Sequence, residues 1–411
     1  MSKQKSLKLN FIMNAILTMS SFLFPLITFP YVSRVLLPAG TGRVSFANSV
    51  VTYFVMISQL GIPTYGIRAC AVVRDNPVKL KKTVYELFII NVFMSILAYV
   101  VFFIAMASVP RLRADRNLFL ITSTLIFFNT IGVEWLYKAL EQYTYITVRS
   151  IIFKFVALIA MFVLVRDADD YVIYGGISIF AASVSNVFNF LRLRKILGKR
   201  KVSGLNLRRH FKPVFTFFII SCATTIYTNL DNVMLGFMKD DIEVGYYNAA
   251  TKIKNILVSI VTSLGTVLMP RAAYYIEQEM WNEFYKLSKK AIKFVLIAAT
   301  SMMIYFMIYA REGVLFLSGD AFEGAVIPMI IVMPTLLFIG LTNIMGIQML
   351  IPMGLENAVM ISTFAGAIAD LILNAILIPF FGSAGAAIGT LVAEFIVFIV
   401  QMVYLKKDIA Y

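Results

Sequence analysis

The chain has 411 residues, of which 60% are hydrophobic and only 14% charged, against about a quarter charged in a soluble domain. A water-soluble globular protein is thereby excluded, and the bilayer is the natural solvent for most of the chain. The net charge of +15 does not point to nucleic acid here, because in a membrane protein the placement of basic residues sets topology.

The N-terminus, MSKQKSLKLN, is basic and runs into a long apolar stretch. No small-residue cleavage site follows a short apolar core, so an uncleaved first helix is expected. Twelve spans are expected, at 9–33, 44–66, 84–109, 117–138, 143–165, 171–191, 212–236, 244–268, 291–310, 325–350, 358–378 and 384–405. Pro25 and Pro30 lie in the first and should bend it, since proline removes a donor and crowds the preceding turn.

Lys and Arg concentrate in the loops on one side, whereas the other side carries acidic stretches such as RDADD (166–170) and KDDIE (239–243). This asymmetry places both termini in the cytoplasm. The largest basic loop, RLRKILGKRKVSGLNLRRHFK (192–212), separates an N-terminal lobe, 1–200, from a C-terminal lobe, 201–411. With six helices each, the lobes share one orientation, as in a parallel repeat about the membrane normal. The expected fold is an all-α polytopic membrane protein, two six-helix bundles related by a pseudo-two-fold axis. Residues 271–290 alternate aromatic and charged groups and read as an amphipathic helix on the cytoplasmic surface. GSAGAAIG (382–389) permits close helix packing.

Cys70 and Cys222 are far apart and have no histidine nearby, so they read as small buried thiols, with no disulfide or zinc site. His210, the one histidine, lies in the basic loop and reads as solvated. The clustered nucleophile, base and metal-ligand patterns of common enzymes are missing, so no catalytic residue, metal or cofactor is expected.

Ionisable groups inside the apolar runs carry the functional signal. Each costs about 2.5–3.5 kcal/mol to insert, so it should face a bundle interior, a wet cavity or a partner. The cations are Arg34, Arg149, Lys154, Lys252 and Lys254; the anions are Glu86, Glu134, Asp231, Asp370 and Glu394. Arg34 and Arg149 could equally snorkel to an interface. Lys154 lies about 16 Å from the inner end of its span, too deep for that. Uncompensated cations lining a cavity would attract an anion such as a pyrophosphate. Arg149 and Lys154 project about 140° apart on their helix, so both cannot point straight into one cavity. Asp231 is a candidate partner for Lys252 or Lys254. For Asp231, Glu134, Asp370 and Glu394 the readings are charge pairing or ion coupling.

Several stretches resemble the polysaccharide repeat-unit flippases, the O-antigen and capsule exporter family of the multidrug/oligosaccharidyl-lipid/polysaccharide exporter superfamily. They include FPLITFPYVSRVLLPAGTGRVSFANSVVTYFVMISQLGIPTYGIR (24–68), EWLYKALEQYTYITVRSIIFKF (134–155), YTNLDNVMLGFMKDDIEVGYYNAATKIKNILVSIVTSLGTVLMPR (227–271) and GIQMLIPMG (346–354). The resemblance implies a two-lobed bundle with a central cavity, working by alternating access as a monomer in the bacterial plasma membrane. The implied cargo is an oligosaccharide on undecaprenyl pyrophosphate, with proton or sodium as coupling cation. Two departures stand out. Lys138 occupies a position where the family often has glutamine, and the chain ends after the twelfth span where many relatives have two more helices.

Two rivals stay open. A multidrug exporter of the same superfamily would want an acidic or aromatic cavity for organic cations, and the five cations argue against it. A membrane-embedded polysaccharide polymerase or glycosyltransferase would present large outer loops with catalytic acids or bases, and the outer connections here are short.

Overall fold

A computed structural model describes residues 7–198 and 204–409, so the lysine-rich centre of the 192–212 loop and the extreme termini lie outside it. The protein is a polytopic all-α membrane protein, and the described residues contain no strand. By length and apolar composition eight helices qualify as spans, or nine if the bent pair Asp320–Val332 and Thr335–Leu350 counts as one.

Twelve spans are not reached by that measure, for identifiable reasons. The stretch Ile12–Val72 has 61 residues and Glu356–Lys406 has 51. At 1.5 Å per residue these are about 90 and 75 Å long, two or more times the hydrocarbon thickness of about 30 Å. The first is broken by non-helical backbone at Leu37 and again at Leu60–Gly61, the second at Gly382. The helix Asp241–Glu277, which carries Lys252 and Lys254, is long enough but is not among the eight.

The elements that position functional groups are α1 (Leu7–Gln59), α2 (Ile62–Val72), α3 (Pro77–Ser108), α4 (Arg116–Gly132), α5 (Glu134–Ala139), α6 (Tyr143–Leu164), α7 (Asn186–Leu197), α8 (Arg208–Met238), α9 (Asp241–Glu277), α10 (Trp281–Ile308) and α11 (Glu356–Ile409). Their ends follow local chemistry. Asn76 caps α3, its side chain accepting from the amides of Val78 and Lys79, with Pro77 fixed at the first turn. Asp240 caps α9 by accepting from the Glu243 amide at 3.0 Å.

The helical backbone of α1 breaks at Leu37. One expectation is corrected. Residues 271–290 do not form one surface helix: α9 runs through to Glu277, Glu279 takes a left-handed conformation (φ 55°), and α10 starts at Trp281.

The chain forms two compact units. One comprises residues up to Leu36 and Ala47–Thr225; the other comprises Leu37–Phe46 and everything from Ile226 on. A core of the first unit gathers Ile62, Leu87, Val133, Leu136, Tyr137, Ile146 and Val214, all buried. Gly61, at φ 72°, lets α2 begin against α8, since a Cβ there would fall 2.5 Å from the Phe218 amide nitrogen. In the second unit the ten-residue turn 37–46 packs on the start of α9. Arg43 Nε lies 3.3 Å from Asp241 Oδ2, and Asn248 donates to Ser45.

Candidate functional sites

The first unit holds a cationic cluster. Val133 adopts a left-handed conformation (φ 38°, ψ 35°) between α4 and α5. That is unusual for a β-branched residue, and it starts α5 at Glu134. Glu134 Oε1 lies 2.8 Å from Lys138 Nζ one turn on, and Oε2 lies 3.8 Å from Arg149 Nη2 on α6. Arg149 is 7% exposed. Its Nη2 donates to Asn186 Oδ1 on α7 at 3.2 Å and the Tyr145 hydroxyl is a further side-chain partner, whereas Nε and Nη1 make no close hydrogen bond in the described protein. The Tyr145 ring lies 5.7 Å from the Arg149 guanidinium and 4.2 Å from that of Arg192. Asn189, fully buried one turn beyond Asn186, also has no partner for its side-chain amide.

Lys154 points elsewhere, as the 140° projection requires. Its Nζ donates to Ser20 Oγ at 2.9 Å and Ser21 Oγ at 3.0 Å on α1. It still interacts electrostatically with Glu134. Arg34 is exposed and donates to the Pro30 carbonyl at 2.6 Å.

The second unit holds an acidic cluster. Asp231 on α8 accepts from Tyr247 Oη on α9 and from Asn374 Nδ2 on α11 at 2.6 Å. Thr390 Oγ1 lies 3.1 Å from Asp231 Oδ2 and 2.8 Å from Tyr247 Oη. Asp370 and Glu394, both on α11, join this group electrostatically, as does Lys254 on α9. Asp231, Asp370, Glu394 and Lys254 are each at least nine-tenths buried. Gly389 makes the assembly possible: a Cβ there would overlap Asn374 Oδ1 and sit 3.0 Å from Asp370 Oδ1. The Tyr227 hydroxyl on α8 reaches Glu394, and Asp370 reaches Asp231.

Ionised together, three acids outnumber one lysine by two charges. Buried uncompensated charge costs several kcal/mol per ion, and a bound proton or small cation cancels it. Among the described residues no three His, Cys, Asp or Glu side chains converge as ligands of one metal ion. Lys254 interacts electrostatically with Glu394, Asp231 and Asp370; Lys252 is half-buried two residues away.

His210 is not solvated. It is 2% exposed, with Nε2 2.9 Å from Glu86 Oε2 and Nδ1 2.9 Å from the Tyr65 hydroxyl. Glu86, wholly buried, also accepts from the Asn206 amide at 2.6 Å and Arg209 Nε at 3.0 Å. Thus Glu86 anchors the end of the basic loop to α3. Both cysteines are free; Cys70 is buried and Cys222 half-buried.

Sequence reasoning missed the uncharged members of both clusters: Tyr247, Asn374 and Thr390 around Asp231, Asn186 at Arg149, and Ser20 and Ser21 at Lys154. Asn374, one turn after Asp370, and Asn186, inside an apolar run, were the available signals.

Residues 7–276 match the family described as "Polysaccharide biosynthesis protein". The chain is 25% identical over 409 residues to a "Putative O-antigen transporter" of Escherichia coli (strain K12), covering 98% of this chain and 97% of that one. A relative of the same description from Shigella dysenteriae is 22% identical over 391 residues, covering 94% and 97%. Among solved structures, the lipid II flippase MurJ superposes with a TM-score of 0.72 at 16% identity, over 95% of this chain and 87% of that chain. A multidrug resistance MATE family transporter of the MOP superfamily gives 0.71 at 13% identity, over 98% of each. At such identities the likeness speaks to the fold alone.

Proposed function

The chain belongs to the polysaccharide biosynthesis protein family, and from that premise we propose that it is a flippase for lipid-linked saccharides. Its cargo is an undecaprenyl-pyrophosphate-linked oligosaccharide repeat unit, moved across the plasma membrane by alternating access for O-antigen or capsule synthesis. No covalent bond is made or broken. The full-length relatives described as O-antigen transporters support this reading.

The single observation that carries it is Arg149. A guanidinium 7% exposed on an apolar helix, with two nitrogens making no close hydrogen bond, is costly to keep. A passing pyrophosphate offers the oxygens it lacks, in the bidentate geometry that arginine favours. Lys154 and Arg34 add positive charge on the same unit; in the second unit Lys252 is the further candidate cation, Lys254 being engaged by the acids. The acidic group of Asp231, Asp370 and Glu394, with Lys254 as partial counter-ion, takes the coupling cation, a proton or sodium. The protein works as a monomer with both termini cytoplasmic.

The test is complementation. A strain lacking its own repeat-unit flippase should regain surface polysaccharide with the wild-type chain and fail to with Arg149→Ala at equal abundance. Full restoration by Arg149→Ala would remove Arg149 from the mechanism.

A further inference from the structure

Glu134 is placed as no ordinary helix-surface carboxylate. The left-handed Val133 immediately before it starts a new helix at that point. Its two oxygens are divided between cations of different standing. Oε1 is 2.8 Å from Lys138, which is about one-third exposed. Oε2 is 3.8 Å from Arg149, which is almost fully buried. Lys154 feels the same carboxylate at longer range. The grip on Lys138 is thus close and easily solvated, and the grip on Arg149 is loose.

Arg149 holds the complementary vacancy. Nη2 is shared between Asn186 at 3.2 Å and Glu134, and Nε and Nη1 make no close hydrogen bond. A planar guanidinium with open donors accepts a phosphate group bidentately, and a diphosphate brings more charge than one carboxylate. A carboxylate that stayed on Arg149 would oppose such a ligand. One that withdrew onto Lys138 would free the site and return when the ligand leaves.

We propose that Glu134 is a resident counter-anion that the diphosphate of the incoming lipid-linked saccharide displaces from Arg149, the carboxylate moving onto Lys138. This rests on the flippase reading and makes Glu134 a positioning residue acting through Arg149. It gives the site selectivity, because a weak or singly charged anion cannot displace the carboxylate. It also drives release, because the returning carboxylate competes with bound cargo.

The experiment measures translocation of a fluorescent prenyl-diphosphate disaccharide in proteoliposomes at varied probe concentration. Glu134→Gln removes the competitor and should lower KM about tenfold, the factor that 1.4 kcal/mol gives, while kcat falls because cargo leaves slowly. Lys138→Ala removes the fallback partner and should shift KM the opposite way. Glu134→Asp keeps the charge and should lie between Gln and wild type. Unchanged KM and kcat in Glu134→Gln, or a raised KM in that variant, would overturn displacement. If Glu134→Gln does not fold, an unaltered KM in Lys138→Ala overturns it instead. A wild-type protein inert toward the probe, at normal stability in detergent, refutes the flippase reading itself and is distinguishable from either result.

Discussion

Asn374 donates a 2.6 Å hydrogen bond to Asp231, 143 residues away in sequence, and so ties α11 to α8 through a buried carboxylate. Tyr247 on α9 and Thr390 further along α11 hold the other oxygen. Three neutral donors therefore fix one acid while Asp370 and Glu394 stand close by. Pairing alone would ask for cations, and this arrangement supplies one lysine. The excess of carboxylates is what a cation-coupled carrier needs.

Asp231→Asn and Asp370→Asn should each uncouple transport. The amide keeps the shape and loses the charge. Uphill accumulation of cargo driven by a proton or sodium gradient should fall about tenfold or more, with 1.4 kcal/mol per factor of ten. Downhill exchange should survive better. Proteoliposomes with each gradient imposed separately read this out, and undiminished gradient dependence in both variants would sink the coupling role.

Gly389→Ala should damage the same site sterically. The new methyl would overlap Asn374 Oδ1, and overpacking of this kind costs about 1–3 kcal/mol. A lower melting temperature in detergent together with lost coupling is expected. A variant indistinguishable from wild type would show that α11 relaxes freely there.

The all-α fold and its apolar runs were legible in composition and periodicity, because a bilayer demands long apolar helices with internally satisfied backbones; the twelve-span count and several helix ends were not. The buried acids and cations were legible too, since charge in an apolar run stands out residue by residue. What surrounds them was not. Tyr247 and Thr390 are unremarkable helix residues until folding brings α9 and α11 to Asp231. His210 looked solvated because the basic loop around it is polar, and only tertiary structure puts Tyr65 and Glu86 on its two ring nitrogens. The backbone of α1 departs from the helix at Leu37, immediately before Pro38, a break not foreseen from the sequence. A residue before proline is pushed out of the helical region, and that signal was available.

Leu37→Gly should stabilise the protein. Leu37 sits at φ 60°, ψ 178°, a region essentially reserved for glycine. Relief of about 1–3 kcal/mol exceeds the entropic cost of glycine, about 0.5–1 kcal/mol, and the side chain is 43% exposed, so its loss removes only part of a buried contact. Thermal unfolding in detergent should rise by a few degrees for Leu37→Gly and not for Leu37→Ala. Equal behaviour of the two would mean that the strained geometry contributes nothing measurable.

Glu86→Ala should be the most destabilising of these changes. It strips the Asn206 amide and His210 of their buried acceptor, and each buried polar group left unsatisfied costs about 1–3 kcal/mol, whereas the half-exposed Arg209 turns to solvent. Glu86→Gln, which can still accept from the Asn206 amide, should cost less. Melting curves of the two variants test the ranking, and the reverse order would mean that the retained acceptor contributes nothing to stability.

The most direct test of the central claim follows an undecaprenyl-pyrophosphate oligosaccharide across a purified bilayer, wild type beside Lys154→Ala and Lys154→Arg. Lys154 bonds only to two serine hydroxyls in the described structure, so its removal should spare folding. The account predicts translocation by the wild type, loss in Lys154→Ala and partial recovery in Lys154→Arg. Efflux of organic cations by a wild-type protein that leaves the anionic lipid-linked sugar untouched would contradict it.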